Sequence, residues 1–164
     1  MPLFAPDLYH TDVHAIDLDA LGAAGIDTLL VDLDNTLLPR DTNELPDELR
    51  AWALELRSRG FRVCLVSNNW HKRVHTVAEG LGFSLVAKAV KPLPFAFLRA
   101  LRILGSDRRH AAVVGDQIFT DVMGGNLLSM TTVLVQPLST SDLPHTLVLR
   151  ALERRILAGR APLD

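Results

Sequence analysis

The sequence predicts an α/β fold with a mainly parallel central sheet and helices on both faces. Three observations predict it. Short runs of β-branched and aliphatic residues alternate with segments of helical period along almost the whole chain. Each joining segment is long enough to cross over and begin the next strand in parallel, and no hairpin signal such as Asn-Gly separates alternating runs. At 164 residues with 48% hydrophobic content, the chain can build one real core and is too short for two comfortable ones. A single domain is therefore expected over 1–164, with an arm and short helix over 1–25 and an amphipathic helix over 145–158.

Residues 3–11 carry Pro6 and mixed polar groups, which predicts an extended arm. Asp17 or Asp19 can cap a short helix through Leu18 and Leu21, stopped by Gly22 and Gly25. The first strand begins near Ile26 and runs through Thr28-Leu-Leu-Val31 to Asp32-Leu-Asp34. After a loop ending at Pro46, Leu49, Trp52, Ala53 and Leu56 recur at helical spacing up to Gly60. Phe61 to Val66 reads as the second strand, stopping at Ser67-Asn68-Asn69. A helix is expected from Trp70 to about Gly80, with Val74, Val77 and Ala78 inward and Lys72, Arg73 and Glu79 in solvent. A short strand over Phe83–Ala87 precedes Lys91-Pro92, and a helix from about Pro94 through Leu104 closes at Gly105. Ala111 to Val114 is the fourth strand, followed by Gly115-Asp116 and by a helical segment, Ile118 to Leu128, with Asp121 near its start. Met130 to Val135 is the fifth. In the final helix Leu149, Leu152 and Ile156 form one stripe, with Arg150, Arg154 and Arg155 elsewhere.

In an open parallel sheet, ligands bind beyond the carboxyl ends of the strands. The polar groups of this chain gather there. Asp32 and Asp34 follow the first strand, Ser67 and Asn68 the second, Lys91 the third, and Asp116 and Asp121 the fourth. Residues two apart on an extended chain point the same way, so Asp32 and Asp34 can face one site, where a cation or a shared proton relieves their repulsion. Taken singly, Asp34 or Asp116 fits an Asx turn, Asp121 a helix cap and Lys91 a solvated surface. Four matched strand ends go beyond turn chemistry. His71 and His75 lie four apart but have no accompanying acid, so a solvated helix face is expected in place of a metal site. Trp52 and Trp70 are read as core or rim packing.

Composition narrows the partners. A net charge of −2 gives no reason to expect general nucleic-acid binding. Cys64 is the single cysteine, inside an apolar run, so a buried structural thiol is expected and an internal disulfide is excluded. With no basic-then-apolar leader and no apolar stretch long enough to span a bilayer, the expected location is cytoplasmic.

Asp32-Leu-Asp-Asn-Thr-Leu37, Val66-Ser67-Asn68, Lys91-Pro92 and Gly115-Asp116-Gln-Ile-Phe-Thr-Asp121 resemble the four ordered motifs of the haloacid dehalogenase (HAD) superfamily of phosphohydrolases. More narrowly the chain resembles subfamily IIIA of the YqeG type, similar to phosphatidylglycerophosphate phosphatases. The resemblance implies a three-layer Rossmann-like fold. It also implies an Mg²⁺-dependent phosphomonoester hydrolase with Asp32 as nucleophile, forming an aspartyl-phosphate, and Asp34 as general acid and base. Ser67, Lys91 and Asn68 would bind phosphate. Asp32, Asp116 and the main-chain carbonyl of Asp34 would bind the metal, and Asp121 would orient Lys91 or the metal's waters. The segments 39–60 and 70–90 leave no room for a cap domain, which suits a large or lipid-borne phosphate, or closure by a neighbouring subunit in a homo-oligomer. The substrate implied is a phosphorylated one, a lipid head group being the narrower expectation. Peripheral membrane contact through the C-terminal helix is the accompanying one, weighed against packing of its leucine stripe on the sheet. A noncatalytic binding or regulatory module and a receiver-like phospho-acceptor domain are the alternatives.

Overall fold

The computed structural model describes residues 2–139 and 144–164, the side chains of 144–147 excepted. Among these, six strands form one wholly parallel sheet. They are β1 (Leu8–His10), β2 (Thr28–Val31), β3 (Arg62–Val66), β4 (Ser84–Val86), β5 (Ala111–Gly115) and β6 (Thr131–Val135), in the spatial order β1-β6-β5-β2-β3-β4. The α-helices are α1 (Leu18–Ala23), α2 (Asp47–Ser58), α3 (Lys72–Leu81), α4 (Pro94–Leu104), α5 (Met123–Leu127) and α6 (Pro144–Ile156). The expected α/β architecture is therefore present. No cap domain stands between β2 and β4, where the chain forms loops, β3, α2 and α3 alone.

Side chains alternate across β2, so Leu29 and Val31 join one core while Leu30 joins the other. The first core takes Leu49, Trp52 and Leu56 from α2 and Val74, Val77 and Leu81 from α3. The second takes Phe97, Ala100 and Leu101 from α4, together with Cys64. Full burial of each large apolar side chain contributes about 1.5–3 kcal/mol, so these two layers fix the sheet between them. All four residues of β2 are buried, as befits a central strand covered on both faces.

Three local expectations need correction. The arm at 3–11 contains β1, which pairs in parallel with β6 through Leu8, Tyr9 and His10. Its three residues are too few to show a period. The helix expected from Trp70 begins at Lys72, because the Asn69 carbonyl accepts the Lys88 N–H at 3.1 Å and His71 is still extended. In α6 the leucine stripe does not pack on the sheet. Leu152 and Ile156 are exposed, Leu149 is half-buried, and among the described side chains of that helix the buried one is Glu153.

Candidate active site

β2 delivers the acid pair to the carboxyl end of the sheet. The Asp32 N–H still donates to the Val114 carbonyl at 2.9 Å, so this residue keeps the strand's register. The chain then folds back sharply. Asn35 adopts a left-handed φ of 62°, its N–H donates to the Leu38 carbonyl, and the Thr36 and Leu37 N–H groups return to the Leu33 carbonyl. This turn aims the Thr36 hydroxyl between two acids, 3.2 Å from Asp32 Oδ2 and 3.3 Å from Asp116 Oδ1.

Asp32 and Asp34 have different surroundings. Asp34 accepts Arg73 Nη1 on Oδ1 at 2.5 Å and Asn69 Nδ2 on Oδ2, so both oxygens are held by donors. Arg73 is fixed in turn by the carbonyls of Thr42 and Pro39, at 2.7 and 2.8 Å. Asp32 instead faces Lys91, whose Nζ lies 2.7 Å from Asp32 Oδ1 and 2.6 Å from Asp121 Oδ1. Burial pushes the Asp32 carboxyl up to about 6 against the attraction of Lys91, with the Asp121 and Asp34 charges adding to the rise. Burial alone would lower Lys91, but Asp121 and Asp32 override it and hold the ammonium above its ordinary range.

The loops after β3 and β4 seat that lysine. Asn68 Oδ1 accepts the Lys91 N–H at 2.7 Å, and the Ser67 carbonyl accepts the Ala89 N–H. The Ser67 hydroxyl receives the Asn69 N–H at 3.1 Å, a small Asx-like turn that leaves its own proton available to a ligand oxygen. Asp32, Asp34, Ser67, Asn68 and Lys91 border one cavity of about 260 Å³, joined by Arg40, Gln117, Thr120 and Leu149 among others.

On the far side β5 ends at Gly115, and the next six residues, through Asp121, determine the charge balance. Asp121 bends back so far that a Cβ on Gly115 would collide with its carboxylate. A π-helical turn over Ile118–Val122 makes the bend and keeps Asp121 buried. Carboxylate oxygens of Asp32, Asp116 and Asp121 lie within 4.8 Å of one another, so the sequence-predicted acids converge. Burial, then the Asp32 charge, pushes Asp116 up to about 8 despite the cation beside it. That cation is Arg150 of α6, which donates to Asp116 Oδ2 and, at 2.6 Å, to the Asp116 carbonyl. Glu153 accepts both the Ile118 N–H at 2.7 Å and Arg150 at 3.2 Å.

Acids this close and this buried are short of positive charge, as the raised values of Asp32 and Asp116 reflect, and hard oxygen donors suit a divalent cation. The donor set therefore fits a metal. Among the described side chains the group is Asp32, Asp116 and Asp121, whereas the Asp34 carboxylate is engaged by Arg73 and Asn69. Sequence reading missed Arg73 and Arg150. Helical period sends Arg73 to solvent and places Arg150 off the leucine stripe, and each reaches an acid that period alone cannot locate. His71 and His75 are exposed as expected, while Trp52 is core and Trp70 rim.

A family profile for haloacid dehalogenase-like hydrolases matches residues 13–128. The chain belongs to that family. This HAD hydrolase is 37% identical over 156 residues to "Probable phosphatase YqeG" of Bacillus subtilis (strain 168), covering 95% of the chain and 91% of that protein. It is 33% identical to the chloroplastic phosphatidylglycerophosphate phosphatase 1 of Chlamydomonas reinhardtii, over 90% of the chain but 58% of that longer protein. Among solved structures, the cobalt-bound 8-phosphate phosphatase of deoxy-D-mannose-octulosonate from Haemophilus influenzae superposes with a TM-score of 0.54 at 14% identity, covering 82% of this chain and 88% of that one. A HAD phosphatase from Thermococcus onnurineus gives 0.51 at 24% identity, over 71% and 59%. These two likenesses show the shared fold. The HAD hydrolase is an enzyme of the phosphatase class.

Proposed function

We propose that the chain hydrolyses phosphate monoesters through an aspartyl-phosphate on Asp32. The observation that carries this reading is the position of Lys91 Nζ, 2.7 Å from Asp32 and 2.6 Å from Asp121 where four strand ends meet. A carboxylate repels a phosphate dianion, and a buried ammonium at its side offsets that repulsion. Asp32 attacks phosphorus, and the bond from phosphorus to the leaving oxygen breaks as Asp34 gives that oxygen a proton. Asp34 then takes a proton from water, which attacks the aspartyl-phosphate and releases phosphate. Ser67 and Lys91 hold the phosphoryl oxygens, and Asn68 fixes the main chain of Lys91 and lines the same cavity. Asp121 orients Lys91. Arg73 and Asn69 occupy both oxygens of Asp34, so its turn as acid requires Arg73 to let go of one of them.

Mg²⁺ is the cofactor of this reading, and Asp32, Asp116 and the Asp34 carbonyl would hold it. When bound it supplies positive charge to the phosphoryl oxygens.

The substrate proposed is a phosphorylated lipid head group, phosphatidylglycerophosphate in the narrowest form. Its support is the likeness to the Chlamydomonas protein, together with a cavity that no cap covers. Arg40 at the cavity edge has an Nε without a hydrogen-bond partner among the described residues, a cation available to a second phosphate. No helix of the described residues is long and apolar enough to cross a membrane, so contact would be peripheral. On α6, exposed Val148, Leu152 and Ile156 beside Arg154 and Arg155 offer one such surface.

The test is phosphate release from a panel of phosphorylated lipids, sugars, nucleotides and peptides, with Mg²⁺ or with chelator, beside Asp32→Asn. Release that needs both Mg²⁺ and Asp32 is expected. Full activity of Asp32→Asn, or no release from any compound, sinks the reading.

A further inference from the structure

One border of the cavity is an exposed apolar and cationic surface for which the chemistry above has no use. It is built from the two loops that follow β3 and β4, tied together by the Lys88 N–H on the Asn69 carbonyl and the Ala89 N–H on the Ser67 carbonyl, at 3.1 and 2.9 Å. Burial alternates along the second loop. Ala89 and Lys91 are buried, whereas Lys88 and Val90 are exposed with left-handed φ of 53° and 54°. A β-branched residue avoids that region, so Val90 is displayed against its own backbone preference. Leu93 and Phe95 continue the surface, Phe95 being 73% exposed. With Lys88, Val90 and Arg99 they line one open depression. Trp70, itself 59% exposed, stacks on His71 at 5.4 Å and lies under Lys88 Nζ, 5.7 Å from its ring centre.

Composition and charge identify what would cover this face. A tryptophan and aliphatic side chains bordered by lysine and arginine are the residues that settle at a bilayer interface, rings and chains among the acyl groups and cations at the phosphates. The local charge is lopsided although the whole chain is nearly neutral. Lys88 and Arg99 line the depression and no acid lines it, whereas Arg59, Arg62, Arg73 and Lys91 of the same stretch are paired with Asp19, Asp27, Asp34 and Asp32. A second copy of the chain would bring the same positive face against itself. An anionic lipid surface is complementary to it.

We propose that the face formed by Trp70, Lys88, Val90, Leu93 and Phe95 docks the protein on anionic bilayers, with the cavity mouth beside the head groups. The purpose of docking rests on the lipid-phosphatase reading above; the docking itself does not need turnover. It differs from contact through α6, which lies across the cavity.

Flotation of the full chain with vesicles of phosphatidylglycerol or of phosphatidylcholine tests it. Binding to phosphatidylglycerol, weakened by salt, is expected, with a partition about tenfold lower for Phe95→Ser and for Lys88→Glu. Both variants should hydrolyse a soluble aryl phosphate as the wild type does. Equal flotation of the variants and wild type overturns the proposal, as does loss of binding on Leu152→Ser with Ile156→Ser but not on Phe95→Ser. A dimer in solution that Phe95→Ser dissociates assigns the face to self-association and overturns it too. Two outcomes separate docking from substrate. Flotation without hydrolysis of vesicle-borne phosphatidylglycerophosphate supports docking and removes that substrate, while hydrolysis of the lipid in detergent micelles by a protein that does not float removes docking alone.

Discussion

Asp32 and Asp34 leave the same strand two residues apart, yet they belong to two different electrostatic regions. Asp32 joins Asp116 and Asp121 in a cluster where three acids share Lys91 and Arg150. Asp34 has a donor on each oxygen, from Arg73 and Asn69. One region is short of positive charge and the other is supplied with it. Spacing brings two carboxylates to one cavity, and what packs around each then assigns its chemistry.

The largest test of this difference is Asp32→Asn. Removing the proposed nucleophile should lower phosphate release by about 10³-fold or more for every substrate. Asp34→Asn should be selective. Release from an alkyl phosphate, whose leaving oxygen needs a proton, should fall by about 10²-fold or more, and release of nitrophenolate, which needs none, should fall less. Burst kinetics with the nitrophenyl ester should then show the phosphoenzyme accumulating, because water activation is also lost. Equal losses on both esters would erase the proposed division of roles.

Smaller effects concern charge balance. Arg73→Ala leaves a nearly buried Asp34 with one donor fewer and should destabilise the fold by about 1–3 kcal/mol in urea unfolding. The acid cluster should make the metal-free protein less stable as pH rises. The folded-state values of Asp32, about 6, and Asp116, about 8, both lie above the ordinary 3.8. Between these limits the native state binds protons that the unfolded chain has released, so their contribution is full at low pH and is lost on the way up. Thermal melts in chelator should therefore fall as pH climbs from about 5 to about 8, and added Mg²⁺ should restore more stability at the alkaline end. A midpoint that rises over this interval in chelator would contradict the assignment.

The strand-by-strand order of the fold and the meeting of Asp32, Ser67, Lys91, Asp116 and Asp121 were legible because each lies at a strand end, and strand ends can be read from apolar runs. The partners on helices were not. Arg73 occupies the first turn of α3, on the side that helical period sends to solvent, and Arg150 a middle turn of α6, off its leucine stripe; their true direction depends on how each helix lies over the sheet. Glu153 is the sharper case. It is a carboxylate buried on the face that its helix turns inward, because the Ile118 N–H and Arg150 await it. A three-residue edge strand such as β1 offers no periodicity at all. Charge averaged over the whole chain also concealed a depression lined by Lys88 and Arg99 and by no acid.

Gly115 bears on none of the chemistry and yet constrains all of it. Its missing Cβ is the space that the Asp121 carboxylate occupies, and Asp121 is the second anchor of Lys91. A single added methyl would push that acid off the lysine, loosening the ammonium that balances Asp32. What this position contributes to the site is an absence of matter, filled by a neighbour's carboxylate.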